Sequence, residues 1–285
     1  MKVAIQLYSV RESMAKDVVQ TIRDVANAGY HYLEVANHNA LEDPGVGFKL
    51  SALELNNLLK EIGARVIGAH VAPLTMDNID AVLDYHSEIG NKYISYPMGF
   101  FNSAQHVKEV AIQLNEIGKK CKERGIQLLY HNHFHEFMNI DGEMIFEILM
   151  QNSEPENLGI ELDTFWAMRG GQDPVALLEK YGKRVKLIHQ KDFNPDSNDD
   201  IVLIDKYDND AKNVSMQSFG AYFTEESFIE IGLGCMDIQS IIDAAKKYCD
   251  VDYIVLEQDC SQHNDIDSIK ISMENFKKFK GISFD

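Results

Sequence analysis

Eight short apolar runs, at 3–8, 32–36, 65–70, 93–96, 126–132, 158–163, 185–189 and 253–257, recur along this chain, and each leaves room for one helix after it. That alternation restricts the fold more than any other feature. A half-solvated antiparallel sheet would alternate apolar and polar residues, whereas these runs carry few polar positions, as strands covered by helices do. Helical periodicity fills the intervals at 17–28, 52–62, 78–89, 104–124, 142–150, 174–181, 238–248 and 266–279. Gly29, Gly63, Gly90 and Gly125 stand where several of these stretches must stop, since a helix end often takes a left-handed residue that glycine adopts without steric cost. Eight β/α units predict an α/β fold whose parallel sheet closes on itself: a single (β/α)8 TIM barrel over 1–285, an architecture that uses about 250 residues. An open doubly wound sheet is the alternative, but no run is followed by a GxGxxG or Walker loop, so a nucleotide-binding version has no support. One connection breaks the short-loop rule. The polar insertion at about 193–228, after the seventh run, is expected to carry a hairpin at 201–204 and to cover the barrel mouth as a lid.

Charge narrows the partners. Lys and Arg number 27 against 45 Asp and Glu, a net charge of −18, and such a field repels phosphate backbones and anionic lipid. Nucleic-acid and membrane partners are therefore excluded, and a small molecule is expected. No apolar run approaches the roughly 20 residues that span a bilayer. Cys121, Cys235, Cys249 and Cys260 form no CxxC pair, and the N-terminal segment turns polar too soon for a secretory signal, so the expected location is the cytoplasm. A homo-oligomer is compatible with all of this.

In barrels the active site lies at the C-terminal ends of the strands. Those ends are rich in imidazole and carboxylate. The second run holds Glu34, the third ends at His70, and the fifth leads into His131-Asn132-His133 with Glu136 close behind. The sixth carries Glu161 and Asp163, the seventh ends in His189-Gln190-Lys191-Asp192, and the eighth in Glu257. Polar groups crowded at strand ends cost free energy unless something pairs with them, and a divalent metal ion is the simplest partner. Two histidines and two carboxylates suit Mn2+, Zn2+, Co2+ or Fe2+ better than Ca2+, which prefers oxygen alone.

Plainer readings stand beside the functional ones. His70 is either a substrate contact or a buried imidazole satisfied by a carbonyl, and Glu34 is either a substrate contact or half of a rim salt bridge. Glu161 and Asp163 lie two apart and share a strand face, so one of them can be structural. Lys191 can hold an enolate oxygen, act as a base with a lowered pKa, or simply pair with a neighbouring carboxylate. Tyr8, Trp166 and Phe193 can form an apolar wall for a sugar ring or merely pack the rim.

Several motifs in order carry a family resemblance: Ile5-Gln-Leu-Tyr-Ser-Val-Arg11, Leu33-Glu-Val35, Tyr130-His-Asn-His133 with Glu136-Phe137, Glu161-Leu-Asp-Thr-Phe-Trp166, His189-Gln-Lys-Asp192, Glu230-Ile-Gly-Leu-Gly234 and Val255-Leu-Glu-Gln-Asp259. Together they resemble the xylose-isomerase-like sugar phosphate isomerase/epimerase superfamily of barrels, which includes tagatose-type 3-epimerases, inosose dehydratase and the endonuclease IV group. The resemblance implies one divalent ion, Mn, Zn, Co or Mg, held by His131, Asp163, His189 and Glu257, with His131 or its neighbour His133 standing where many relatives keep a glutamate. It implies Glu257 as base, with Lys191, Glu136 and His133 as further acid/base or binding groups, and Tyr8, Glu34, His70, Trp166 and Glu161 around the substrate. The expected activity is that of a sugar isomerase or epimerase, through proton abstraction α to a carbonyl and a metal-stabilised enediolate.

The missing glutamate makes elimination the rival, as in an inosose dehydratase or keto-sugar lyase, because a metal-bound imidazole has its lone pair committed and accepts protons poorly. Two further readings rank lower. A non-catalytic sugar-binding protein would not need the metal set, and an apurinic endonuclease would need a cationic surface.

Overall fold

The eight apolar runs become eight parallel strands of a closed barrel in a computed structural model of the protein, which describes residues 1–207 and 209–284. The strands are β1 (Lys2–Gln6), β2 (Tyr32–Asn37), β3 (Arg65–Val71), β4 (Tyr93–Tyr96), β5 (Gln127–His131), β6 (Leu158–Asp163), β7 (Val185–Gln190) and β8 (Tyr253–Leu256). Each pairs with its sequence neighbours, and β8 closes on β1 with Val3 opposite Ile254 and Ile5 opposite Leu256. Helices α1 (Val18–Asn27), α2 (Ala52–Ile62), α3 (Ile79–Glu88), α4 (Ala104–Glu123), α5 (Ile145–Gln151), α6 (Pro174–Tyr181), α7 (Ile238–Tyr248) and α8 (Asp265–Phe276) cover the outside. Local chemistry sets their ends. In α2 the Ser51 hydroxyl accepts from Glu54 N at 3.3 Å while the Glu54 carboxylate accepts from Ser51 N at 2.9 Å, and Gly63 closes the helix at φ 66°, a reciprocal cap at one end and a left-handed cap at the other.

Two apolar bodies result. The larger lies between strands and helices, while Ala4, Tyr32, Ile67, Leu129, Leu187 and Val255 form a separate cluster. Those six share the alternate face of their strands, so they fill the barrel interior. Two residues further on, along four of the same strands, stand Glu34, His131, His189 and Glu257, all buried. A register shift between Leu33 and Glu34 in the β2–β3 pair places Glu34 opposite Gly68 and leaves His70, three residues after Ile67, facing in. The carboxylate needs that glycine: a Cβ at position 68 would sit 2.7 Å from Glu34 Oε1.

The structure departs from the sequence reading in the connections. The stretch 142–150 is not wholly helical, because Asp141 and Gly142, both at positive φ, turn a small hairpin between Asn139–Ile140 and Glu143–Met144, as an Asp-Gly pair favours. No hairpin forms at 201–204. Ile204 starts a 3-10 turn, and the insertion is built from such turns plus a short helix at Met216–Phe219. Its ends pair with each other, Asp192–Phe193 running antiparallel to Phe228–Ile229, and Asp210 bridges to Asn139 in the small hairpin. The buried Asp192 carboxylate fixes this closure by accepting hydrogen bonds from the backbone N–H groups of Phe193, Gly232, Gly234 and Met236 at 2.9–3.1 Å. Among the described residues no helix is long and apolar enough to cross a membrane.

Candidate active site

A cavity of about 780 Å3 opens at the C-terminal ends of the strands, and Tyr8, His70, His131, His133, Trp166 and Glu257 line it. At its base, His131, Asp163, His189 and Glu257 each offer one ligand atom, and these atoms lie within 4.8 Å of one another. All four side chains are buried. Asp163 is held by backbone: its Oδ1 caps the helix Thr164–Arg169 by accepting from Trp166 N at 2.7 Å. Asn132 clasps the β5 end to the β6 end, its amide donating to Asp163 O at 3.0 Å and its Oδ1 accepting from Asp163 N at 3.1 Å.

Lys191 lies against this cluster. Its ammonium donates to Asp163 Oδ2 at 2.5 Å and to Glu257 Oε2, and Asp259 stands 3.9 Å away. Burial alone would depress such an amine, but Asp163, Asp259 and Glu257 push its pKa above the ordinary lysine range. The contacts are those of an ammonium paired with neighbouring carboxylates.

Under the cluster lies a layer of carboxylates that face imidazoles. His189 presents Nδ1 to Glu257 Oε2 at 2.9 Å and Nε2 to Glu34 Oε2 at 2.5 Å, with Glu161 Oε1 at 3.1 Å. Glu161 also receives His70 Nε2 at 2.7 Å and stands 3.4 Å from His131 Nδ1. Burial and the Glu161 charge raise the Glu34 pKa, whereas His189 and His70 overcome burial and hold Glu161 well below the usual carboxylate range. The same carboxylates outweigh burial at His70 and His189 and raise both. Burial lowers His131 to about 4 and, with His131, His135 and Lys191 nearby, holds His133 well below its ordinary value.

This arrangement fits a divalent ion. Carboxylates on the lower ring nitrogens of His131 and His189 aim the upper nitrogens, His131 Nε2 and His189 Nδ1, toward Asp163 and Glu257, the orientation that metal-binding histidines take from their outer partners. A deeper grouping of His70, His131, Glu161 and His189 also brings its ligand atoms within 4.8 Å of one another, but its Glu161 already faces three imidazoles and does not reach the cavity.

Not every residue expected around the substrate reaches the cavity. Tyr8, His70, Trp166, His133 and Glu257 do; Glu34 and Glu161 are wholly buried beneath it. Glu136 is captured locally, accepting from His133 N at 2.8 Å and from the Tyr130 hydroxyl at 3.0 Å, and it does not line the cavity. Phe193 packs behind the wall, with the Arg169 guanidinium 5.1 Å from its ring centre. Arg11, His38 and Asp259 line the cavity without having been singled out from the sequence. The strand-end rule finds them if extended one to five residues past each strand into the loops.

Barrel and site together define a (β/α)8 protein with a buried histidine–carboxylate centre under an open cavity. The chain belongs to the xylose isomerase-like TIM barrel family, whose profile matches residues 22–279. The inosose dehydratase of Clostridium beijerinckii is 25% identical in an alignment of 242 residues that covers 78% of this chain and 75% of that protein. The crystal structure of a sugar phosphate isomerase/epimerase from Parabacteroides distasonis superposes with a TM-score of 0.75 at 22% identity, covering 99% of this chain and 95% of that one. IolI protein, solved with a binding zinc atom, superposes with a TM-score of 0.68 at 14% identity over 97% and 96% of the two chains. At such identities the two structural likenesses speak to the fold alone.

Proposed function

We propose that this chain is a divalent-metal-dependent enzyme that removes the proton α to the carbonyl of a keto-sugar or cyclic keto-polyol and then expels a β-oxygen substituent, a lyase of the inosose-dehydratase kind. His131, Asp163, His189 and Glu257 would hold the ion, which when bound supplies the positive charge that an enediolate needs. Glu257 is the base. Both of its hydrogen bonds, from His189 and Lys191, fall on Oε2, which leaves Oε1 for the substrate. Lys191 fixes Asp163 and Glu257 and is a proton donor; Glu34 and Glu161 orient the histidines; Tyr8, His70 and Trp166 contact the substrate. His133 meets the leaving oxygen.

One observation carries the choice of elimination over epimerisation. The carboxylates on the cavity wall, Glu257 and Asp259, both come from the end of β8, while the β5 and β6 ends present His131, His133 and Trp166 there. Among the described residues, a two-carboxylate exchange of a proton across opposite substrate faces has no carboxylate on the wall facing Glu257 and Asp259. The name of the Clostridium beijerinckii relative supports the same reading. Isomerase or epimerase chemistry is the second reading, favoured by His133, whose burial keeps it neutral opposite Glu257.

The test is incubation of metal-loaded protein with inososes and keto-hexoses in deuterated water, followed by NMR. Elimination yields a dehydrated product. Deuterium entering one carbon without loss of water selects the second reading, and absence of both outcomes across the panel sinks the proposal.

A further inference from the structure

The cavity exceeds what a sugar needs. Its volume is about 780 Å3, whereas a six-carbon ketose of twelve heavy atoms, granted for each the roughly 30 Å3 that a water molecule takes in the liquid, fills at most about 360 Å3. The polar lining belongs to the barrel axis, at His70, His131, His133, Glu257 and Asp259. The remaining space runs outward between the segments that follow β3 and β4 and the middle of α4, where Leu74, Pro97, Met98, Val110 and Leu114 supply the lining. Polar groups are few there: Thr75, Gln113 and the Tyr96 hydroxyl.

A second sugar ring in this arm would lose water from its hydroxyls without gaining enough partners, and each unpaired hydroxyl costs free energy. An apolar group gains by entering. The insertion then decides shape. The Trp166 ring lies 5.9 Å from Phe219 and 5.1 Å from Phe223, centre to centre, and all three rings line the cavity. These rings pack on one another, and the faces and edges that they leave toward the cavity offer a flat aromatic ring offset or edge contact.

We propose, resting on the reading of the site as one that activates a keto-sugar carbonyl, that the outer arm seats an aryl group attached to that sugar. The substrate class is then an aryl glycoside whose sugar ring bears the ketone, rather than a free sugar or free inosose.

Trp166 is the one tryptophan of the chain, so its fluorescence reports binding in the cavity directly. Paired phenyl and methyl β-glycosides of glucose, galactose and xylose are titrated into Zn2+-loaded protein; they lack a ketone, so binding is read without turnover. The best phenyl glycoside should bind about ten- to a hundredfold more tightly than its methyl partner, the gain from burying one such ring. Val110→Glu, at a half-buried position on α4, should lower the phenyl glycoside's affinity at least tenfold, and Val110→Leu, which keeps the arm apolar, should retain it.

Equal affinities for every pair, no saturable Trp166 response to any glycoside, or a phenyl preference that survives Val110→Glu would each overturn the proposal. The chemistry is separable. If a keto-hexose exchanges its α-proton while phenyl and methyl glycosides bind alike, the aryl arm is wrong and the carbonyl reading stands. If the phenyl preference is found and no ketone reacts, the arm is supported and the carbonyl reading fails.

Discussion

Two levels of the barrel interior, two residues apart along the same strands, are built on opposite terms. At the lower level Tyr32, Leu129, Leu187 and Val255 bury apolar surface, each aliphatic side chain contributing about 1.5–3 kcal/mol. At the upper level Glu34, His131, His189 and Glu257 bury charge and hydrogen-bonding capacity, and Glu34 Oε1, Glu161 Oε1 and His131 Nδ1 have no hydrogen-bond partner. Buried polar groups left partly unsatisfied cost stability. The lower level therefore holds the barrel together, and the upper level draws on that stability to keep a reactive arrangement in place.

Substitutions at the two levels should separate these roles. The largest effect is expected at Glu257→Gln: loss of the base should cut α-proton exchange about a thousandfold, read by NMR in deuterated water, while the urea unfolding midpoint stays close to that of the parent. Retained exchange would show that Glu257 is not the base. Leu187→Ala should do the reverse, lowering unfolding free energy by about 2–5 kcal/mol while metal affinity by calorimetry changes little; a large fall in affinity would mean that the lower level also shapes the site. Glu161→Gln tests the link between levels. Removing the charge that faces His70, His131 and His189 should weaken metal binding roughly ten- to a hundredfold, and an unchanged affinity would deny Glu161 its orienting role.

The smallest effect concerns His86, a buried histidine on α3 outside the site. Burial lowers its pKa to about 4 from an ordinary 6.5, so between those values the unfolded chain binds a proton that the folded one refuses. Its contribution is present above pH 6.5 and is lost as pH falls toward 4, with a slope of at most about 1.4 kcal/mol per pH unit. The difference between the parent and His86→Gln in urea unfolding at pH 7, 6 and 5 isolates that slope, and parallel curves would refute it.

Much of this was legible in the sequence. Runs 93–96 and 158–163 coincide with β4 and β6, and His131, Asp163, His189 and Glu257, the set that the family resemblance implied, lie together at the strand ends. Depth inside the barrel was not legible. Glu34 and Glu257 look alike in a strand pattern, yet one lies under the histidines and the other on the cavity wall, because level depends on strand stagger and on the irregularity beside Leu33 and Glu34. The position of Glu136 was hidden for a different reason. A carboxylate three residues after His133 can turn back onto that residue's N–H, as in a capping box, and here it does so instead of lining the cavity. The insertion stayed opaque because its closure is non-local: the donors that fix Asp192 come from positions 193, 232, 234 and 236.

That Asp192 knot fixes where the insertion leaves the barrel and where it rejoins it. Cys235 N donates to Phe193 O at 3.0 Å, so the chain leaves the barrel and returns to it at almost one point. Lengthening a loop whose ends are already joined costs only about 0.6 kcal/mol per doubling. Between the two fastened ends the stretch still leans on the barrel, through Leu203 N on Arg169 O and Lys212 on Asp141, so changes of length fall most freely in its exposed turns, re-dimensioning the entrance to suit a bulkier or slimmer guest while the eight strands keep their stagger.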